Sequence, residues 1–248
     1  MNLRNFFDKI YYINLSEDIK KQKYLESQIQ QSKLLEESCQ RYEAVIGNSL
    51  DIRLMPEYIV TNKAKEEVIA KKQNSYGVSL TYGSLACALS HYLIYKECSM
   101  SSKPFLIFED DIIINKDFDK NLSNVLTSVR DLDMDYDIIY LGYNEIPGFQ
   151  KKIINNNVSK PRGLITGLYG YIVSNIGAKK LIKNVFPLNK QIDSSISDNI
   201  HHFNLLCSSY KIVGVRTDFV SKTQMSASFN NMYNNSKTTT TNWNKLFD

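Results

Sequence analysis

Short apolar runs alternate with segments whose apolar residues recur at helical spacing, and this alternation organises most of the chain. IYYINL (10–15) is apolar, β-branched and aromatic, as a buried strand should be. Ser16 then offers a helix cap, with Glu17 and Asp18 in the first turn, where the helix dipole favours acids. Tyr24, Leu25 and Ile29 would form the buried stripe of that helix. RYEAVIG (41–47) reads as a second strand closed by Gly47, and a lysine- and glutamate-rich helix is expected over 61–72. From Thr81 to Cys98 the helical pattern is strong, with Leu85, Leu89, Tyr92 and Leu93 on one face. PFLIF (104–108) is a continuous apolar run, the signature of a strand covered on both faces. Residues 118–129 predict a helix and DIIYLG (137–142) another buried strand. The Gly, Pro and Asn content of 143–163 predicts a loop. LYGYIVS (168–174) returns to strand and 175–185 to helix; a helix near 195–208 and the strand KIVGVR (211–216) follow.

Strands alternating with helices predict a three-layer α/β domain around a mostly parallel central sheet, spanning 1–226 as a single unit. The polar, low-complexity stretch 227–248 reads as a flexible tail. In sheets of this kind ligands bind outside the carboxyl ends of the strands, which says where chemistry should be sought.

Composition narrows the class. Of 248 residues, 43% are hydrophobic and 23% charged, which excludes a disordered, collagenous or disulfide-stapled chain. Cys39, Cys87, Cys98 and Cys207 are scattered without a C-x-x-C pair, so reduced thiols and no structural zinc are expected. A net charge of +4, with no basic stretch interleaved with aromatics, argues against a nucleic-acid partner. Charge is unevenly spread: residues 109–137 hold nine acids against three bases, while the remainder carries 27 bases against 17 acids. A basic body with one acidic segment suits a protein that handles an anion through a cation, or one that rests on an anionic membrane surface. No apolar run approaches the ~18 residues needed to span a bilayer. The N-terminal residues lack the order of a signal peptide, so a cytoplasmic location, with peripheral contact to the inner face of a membrane, is the expectation.

Two strand ends carry candidate chemistry. Ile13-Asn14-Leu15 leads from the first strand into a helix start, where backbone N–H groups can meet a polar ligand. Glu109-Asp110-Asp111 directly follows PFLIF. Three adjacent carboxylates repel one another, and burial at a strand end raises that cost unless a cation relieves it. Hard divalent cations such as Mn²⁺ or Mg²⁺ take such oxygen ligands and, completed by diphosphate oxygens, stabilise a departing diphosphate. An exposed acidic turn is the competing reading. No P-loop and no Gly-x-Gly-x-x-Gly follows any strand, which weakens ATPase and dinucleotide readings.

These residues sit within a series of blocks that resembles glycosyltransferase family 25, which includes lipooligosaccharide and collagen galactosyltransferases. In order over about 10–226 come YYINLSEDIKKQKYL, RYEAVIG, LTYGSLACALSHYLIYKEC, FLIFEDDIII, DYDIIYLG, LYGYIVSNIGAKKL and PLNKQID. The departures are Ser84-Leu85-Ala86, where a Gly commonly precedes the Cys, and Ser16-Glu17 in place of Asp-Arg. The resemblance implies a GT-A-like fold and an inverting transfer of a hexose, galactose first, from a UDP-sugar to a glycan, lipid-linked glycan or other glycoconjugate. UDP-glucose, a UDP-N-acetylhexosamine, or a non-catalytic nucleotide-sugar-binding role are the alternatives. By the same analogy Asp111 ligates Mn²⁺ or Mg²⁺, Glu109 sits near the ribose or the metal, and Asp110 supports the cluster. Asn14, with the backbone from Ile13 to Leu15, faces the nucleotide.

An inverting transfer also needs a base for the acceptor hydroxyl. Asp193 is the first candidate, with a helix cap as its alternative, and Asp198 the second. His91 matches the family's helix block at the nucleotide-sugar site; a structural hydrogen-bonding role is the simpler reading. Tyr169 and Tyr171 belong to the sugar pocket or to the core, and alternation places both on one face. His201 and His202 read as surface residues, and Trp243 to Phe247 as a tail too short to anchor a protein.

Overall fold

Three parallel strands open the large sheet. In the computed structural model, which describes residues 2–71, 79–145, 149–216 and 218–219, β1 (Lys9–Asn14) pairs in parallel with β2 (Cys39–Glu43) and with β3 (Phe105–Glu109). The strands β5 (Ile138–Glu145), β6 (Gln150–Ile153), β7 (Val158–Arg162), β8 (Ile165–Val173) and β9 (Leu205–Ser208) complete an eight-stranded sheet of order β2-β1-β3-β8-β5-β9-β7-β6. Six strands point one way, and β7 and β8 run against them. A second sheet pairs β4 (Ile112–Ile114) with β10 (Val213–Val215).

Each face of the large sheet has its own core. Leu85, Leu89, Ile94 and Tyr95 of α4 (Tyr82–Met100) pack with α3 (Asn62–Ile69), α6 (Asn175–Val185) and α7 (Ile192–Asp198) against Ile107, Tyr140 and Tyr171. On the other face Leu25 of α1 (Ile19–Ile29), Leu35 of α2 (Lys33–Ser38) and Leu122 of α5 (Phe118–Asp131) cover Leu106, Phe108 and Ile172. Three layers result, as the alternating pattern requires. Among the described residues no helix is long and apolar enough to cross a membrane.

Several local expectations need correcting. Helix α1 starts two residues later than Ser16 suggests, with Asp18 at its N-cap, and Lys21 rather than Tyr24 completes its buried stripe. The second strand ends at Glu43, before Val45 and Gly47, and α3 ends at Ile69. Helix α4 is buried nearly all round, so Ser90 and His91 are as enclosed as Leu89. The expected loop 143–163 contains the hairpin β6–β7; β6, at the sheet edge, is exposed and polar and so carries no apolar run. The late helix is short: α7 and one 3₁₀ turn (Ile200–His202) precede β9, a strand inside the sheet. Its run Leu205–Ser208 is too short for periodicity to tell strand from helix. The expected tail lies outside the described residues.

Tyr169 and Tyr171 do not share a face. The β5–β8 register shifts between Tyr140/Tyr171 and Gly142/Gly170, and Tyr171 joins one core while Tyr169 joins the other. Gly142 makes the shift possible. A Cβ there would lie 2.4 Å from both Val213 O and the Tyr169 ring, so only glycine lets β10 seat on the large sheet.

Candidate active site

Because β1 and β3 are parallel with Ile13 opposite Glu109, the chain leaves both strands at the same sheet edge. Ile13-Asn14-Leu15 and Glu109-Asp110-Asp111 therefore meet in one cleft of about 150 Å³. The start of α1, the segment Ala44–Asn48 and the Gly83–His91 side of α4 complete its walls.

A polar network fixes the floor. Asn14 is 1% exposed; its Nδ2 donates to Asp110 Oδ2 at 2.8 Å and its Oδ1 accepts from Arg41 Nε at 3.1 Å. Arg41 also donates to Asn14 O and to Glu43, which accepts the Ser16 N–H at 3.0 Å. Lys21 Nζ lies 2.8 Å from Asp110 Oδ1 and 3.4 Å from Asp111 Oδ2. Burial opposes the Lys21 charge, but the two aspartates outweigh it and the ammonium pKa is raised.

The three acids are therefore unequal. Both oxygens of Asp110 are engaged, one by Asn14 and one by Lys21. Asp111 Oδ1 is buried without a hydrogen-bond partner. Burial, then the Glu109 charge, push the Asp111 pKa up to about 6 against the pull of Lys21. Its backbone oxygen accepts the Arg216 N–H at 2.7 Å, which ties the acidic turn to the end of β10. The Arg216 guanidinium stacks 4.3 Å from the rings of Tyr24 and Phe219. Glu109 faces His91, with Oε1 3.6 Å from Nε2. Oxygen atoms of Glu109 and Asp111 that no protein donor claims suit a hard cation, whereas Asp110 is a brace.

His91 is fully buried, with Nδ1 2.8 Å from the Tyr171 hydroxyl, itself 2.9 Å from that of Tyr95. It lines the cleft, and its Nε2 faces Glu109. Asp193, in the first turn of α7, is absent from the cleft wall; its Oδ2 accepts the Gly167 N–H at 3.1 Å and its Oδ1 the Ser194 N–H at 2.7 Å. It is still close enough that, after burial and the Glu109 charge, its own charge helps raise the Cys87 thiol pKa, together with Asp111 and Asp110. Gln191, not Asp193, is the N-cap. Asp198 is exposed at the far end of α7, outside the cleft wall, and paired with Lys190.

Sequence reasoning missed Lys21, Arg41 and Glu43. Lys21 had a signal: it stands four residues before Leu25 and eight before Ile29, an apolar position of the stripe.

A layered α/β domain of GT-A-like form, with an acid-floored cleft at the carboxyl ends of parallel strands, defines the class. A family model described as "Glycosyltransferase family 25 (LPS biosynthesis protein)" matches residues 7–196, and the chain belongs to that family. It is 28% identical over 200 residues to procollagen galactosyltransferase 1-A of Xenopus laevis, covering 75% of this chain and 30% of that protein. It is 27% identical over 201 residues to procollagen galactosyltransferase 1 of Danio rerio, with the same coverage. A "probable inactive glycosyltransferase 25 family member 3" of Rattus norvegicus is 25% identical over 193 residues, covering 75% of this chain and 31% of that protein. The match thus spans under a third of these relatives' length.

Proposed function

We propose that this chain is a divalent-cation-assisted, inverting glycosyltransferase that moves a hexose, galactose first, from a UDP-sugar to a hydroxyl of a glycan or glycoconjugate. The observation that carries the reading is the meeting of Asn14 with Glu109 and Asp111 in one cleft, with Asp111 Oδ1 buried and unpartnered.

Mn²⁺ or Mg²⁺, held by Asp111 and Glu109, would supply Lewis-acid stabilisation of the leaving diphosphate. The protein's own residues do the rest. Asn14, locked between Arg41 and Asp110, presents the β1 end to the nucleotide in a fixed orientation. Lys21 offsets two of the three acids, so the floor stays folded before donor arrives. Asp193 takes the acceptor hydroxyl's proton as that oxygen bonds to the anomeric carbon, and the bond from that carbon to the diphosphate oxygen breaks with its electron pair.

Lys21 favours a second reading, a binding relative without turnover, because its ammonium already neutralises part of the cluster. Against that, it leaves Asp111 Oδ1 unsatisfied. Product formation from UDP-galactose, UDP-glucose and UDP-N-acetylhexosamines, followed by mass spectrometry against a glycan panel, decides between them. Mn²⁺-dependent product that EDTA abolishes is expected, greatest with UDP-galactose. No product or UDP release from any donor, with or without metal, would leave only the binding role.

A further inference from the structure

Among the described residues one set of three soft and hard metal-ligating groups converges: Cys87 Sγ, a His91 ring nitrogen and a Glu109 carboxylate oxygen lie within 4.8 Å of one another. Cys87 and His91 are four residues apart in α4, so successive turns place both on one helix face. Glu109 meets them from the end of β3. His91 is fully buried, yet its Nε2 has no hydrogen-bond partner and is directed at Glu109 Oε1, 3.6 Å away. Leaving such a group unsatisfied costs on the order of 1–3 kcal/mol. The Tyr171 hydroxyl, 2.8 Å from Nδ1, can accept the ring proton there, which frees the Nε2 lone pair. A partner on the second ring nitrogen is the usual support of a metal-bound histidine.

The geometry points to a binding site for a borderline-soft divalent cation of the Zn²⁺ class, held by Cys87, His91 and Glu109 at the cleft floor. Sulfur and imidazole ligands select such an ion over Mg²⁺. Two ligands on a tetrahedral zinc stand about 3.4 Å apart. The His91–Glu109 pair already has nearly that spacing, at 3.6 Å. Three protein ligands leave a fourth position open to water or to a cleft ligand, unlike a closed structural site. Absence of a C-x-x-C pair therefore says nothing against it. On binding, the sulfur–metal bond forms as the Cys87 proton passes to solvent. Burial and the surrounding carboxylates otherwise keep that thiol protonated. The site shares Glu109 with the hard-cation site of the sugar-transfer reading but not Cys87 or His91, so a thiolate-to-metal signal reports on it separately.

The test uses the full chain, stripped with chelator and titrated anaerobically with Co²⁺ and, separately, Zn²⁺. One equivalent of Co²⁺ should produce near-ultraviolet thiolate-to-cobalt absorption. Cys87→Ser should abolish that band, and His91→Gln should weaken Zn²⁺ binding at least about tenfold. Asp111→Asn and Cys39→Ser should keep the band. Should Cys87→Ser fail to fold, the unmodified protein answers: X-ray absorption of the one-equivalent Zn²⁺ form should show a sulfur ligand at about 2.3 Å. No band in the parent chain, a band that survives Cys87→Ser, or zinc bound without a sulfur ligand would overturn the site.

Discussion

Asp111 illustrates what a carboxyl buried beside other acids costs the fold that carries it. Its carboxyl titrates at about 6 in the folded chain, against a reference value of 3.8, because burial and Glu109 disfavour the charge more than Lys21 favours it. Between those pH values the native state holds more proton than the unfolded one, so this group makes stability fall as pH rises from about 4 to about 6. In metal-free buffer Asp111→Asn should flatten that fall and stabilise the protein at pH 7 by the order of 1–3 kcal/mol, read from urea unfolding. An unchanged pH profile would contradict the assignment. Lys21→Met should do the reverse, at a cost of roughly 3–5 kcal/mol, because it leaves Asp110 and Asp111 without their counter-charge. Added Mg²⁺ should recover part of that loss in melting temperature. The acids were legible in the sequence because three neighbouring carboxylates after an apolar run have few inexpensive explanations. Lys21 was not, because a helical lysine normally reaches water, and nothing local says that its partners lie some ninety residues away.

At the scale of elements, the small sheet braces the acidic turn of the cleft, and α7 carries the candidate base. Strand β10 ties Asp111 through Arg216 and is itself seated against Gly142. Gly142→Ala forces a Cβ into Val213 O and the Tyr169 ring, and should destabilise the fold by about 1–3 kcal/mol. It should also weaken Mn²⁺ binding, although residue 142 is no part of the cleft wall; a calorimetric titration reads the second effect. Helix α7 docks on β8 through Asp193 to Gly167 N–H and Ser197 to Ile165. Asp193→Asn keeps one acceptor for the two backbone N–H groups of Gly167 and Ser194 and loses the proton-accepting carboxylate. With turnover established, kcat should fall about 10²–10⁴-fold at unchanged donor KM, and the amide NH2 set against the second N–H should destabilise the fold by about 1–3 kcal/mol. An intact kcat would remove Asp193 from the base's role. The strands β1, β3, β5 and β8 were readable because each is a long apolar run. Strand β6 is polar at an edge and β9 is four residues long, so neither carried a readable period. The opposed faces of Tyr169 and Tyr171 depend on a register shift between strands, which no single strand encodes.

For the whole molecule, the alternating pattern predicts the layers, and the order of seven sequence blocks carries the family. Topology then does what neither can: parallel pairing of β1 with β3 brings residue 14 to residue 110 and makes one cleft of two distant motifs. Acceptor identity is not written in comparable form, since the segments Ala44–Asn48 and Gly83–His91 that wall the cleft name no sugar. The account depends on Asp111 and Glu109 gripping a cation that in turn grips a diphosphate. Isothermal titration of UDP into the purified chain tests this directly, with Mn²⁺ or with EDTA, for the parent protein and Asp111→Asn. The account predicts at least about tenfold tighter UDP binding with Mn²⁺ in the parent and no Mn²⁺ effect in Asp111→Asn. UDP affinity indifferent to Mn²⁺ in the parent, or an equal Mn²⁺ effect in both proteins, would contradict it.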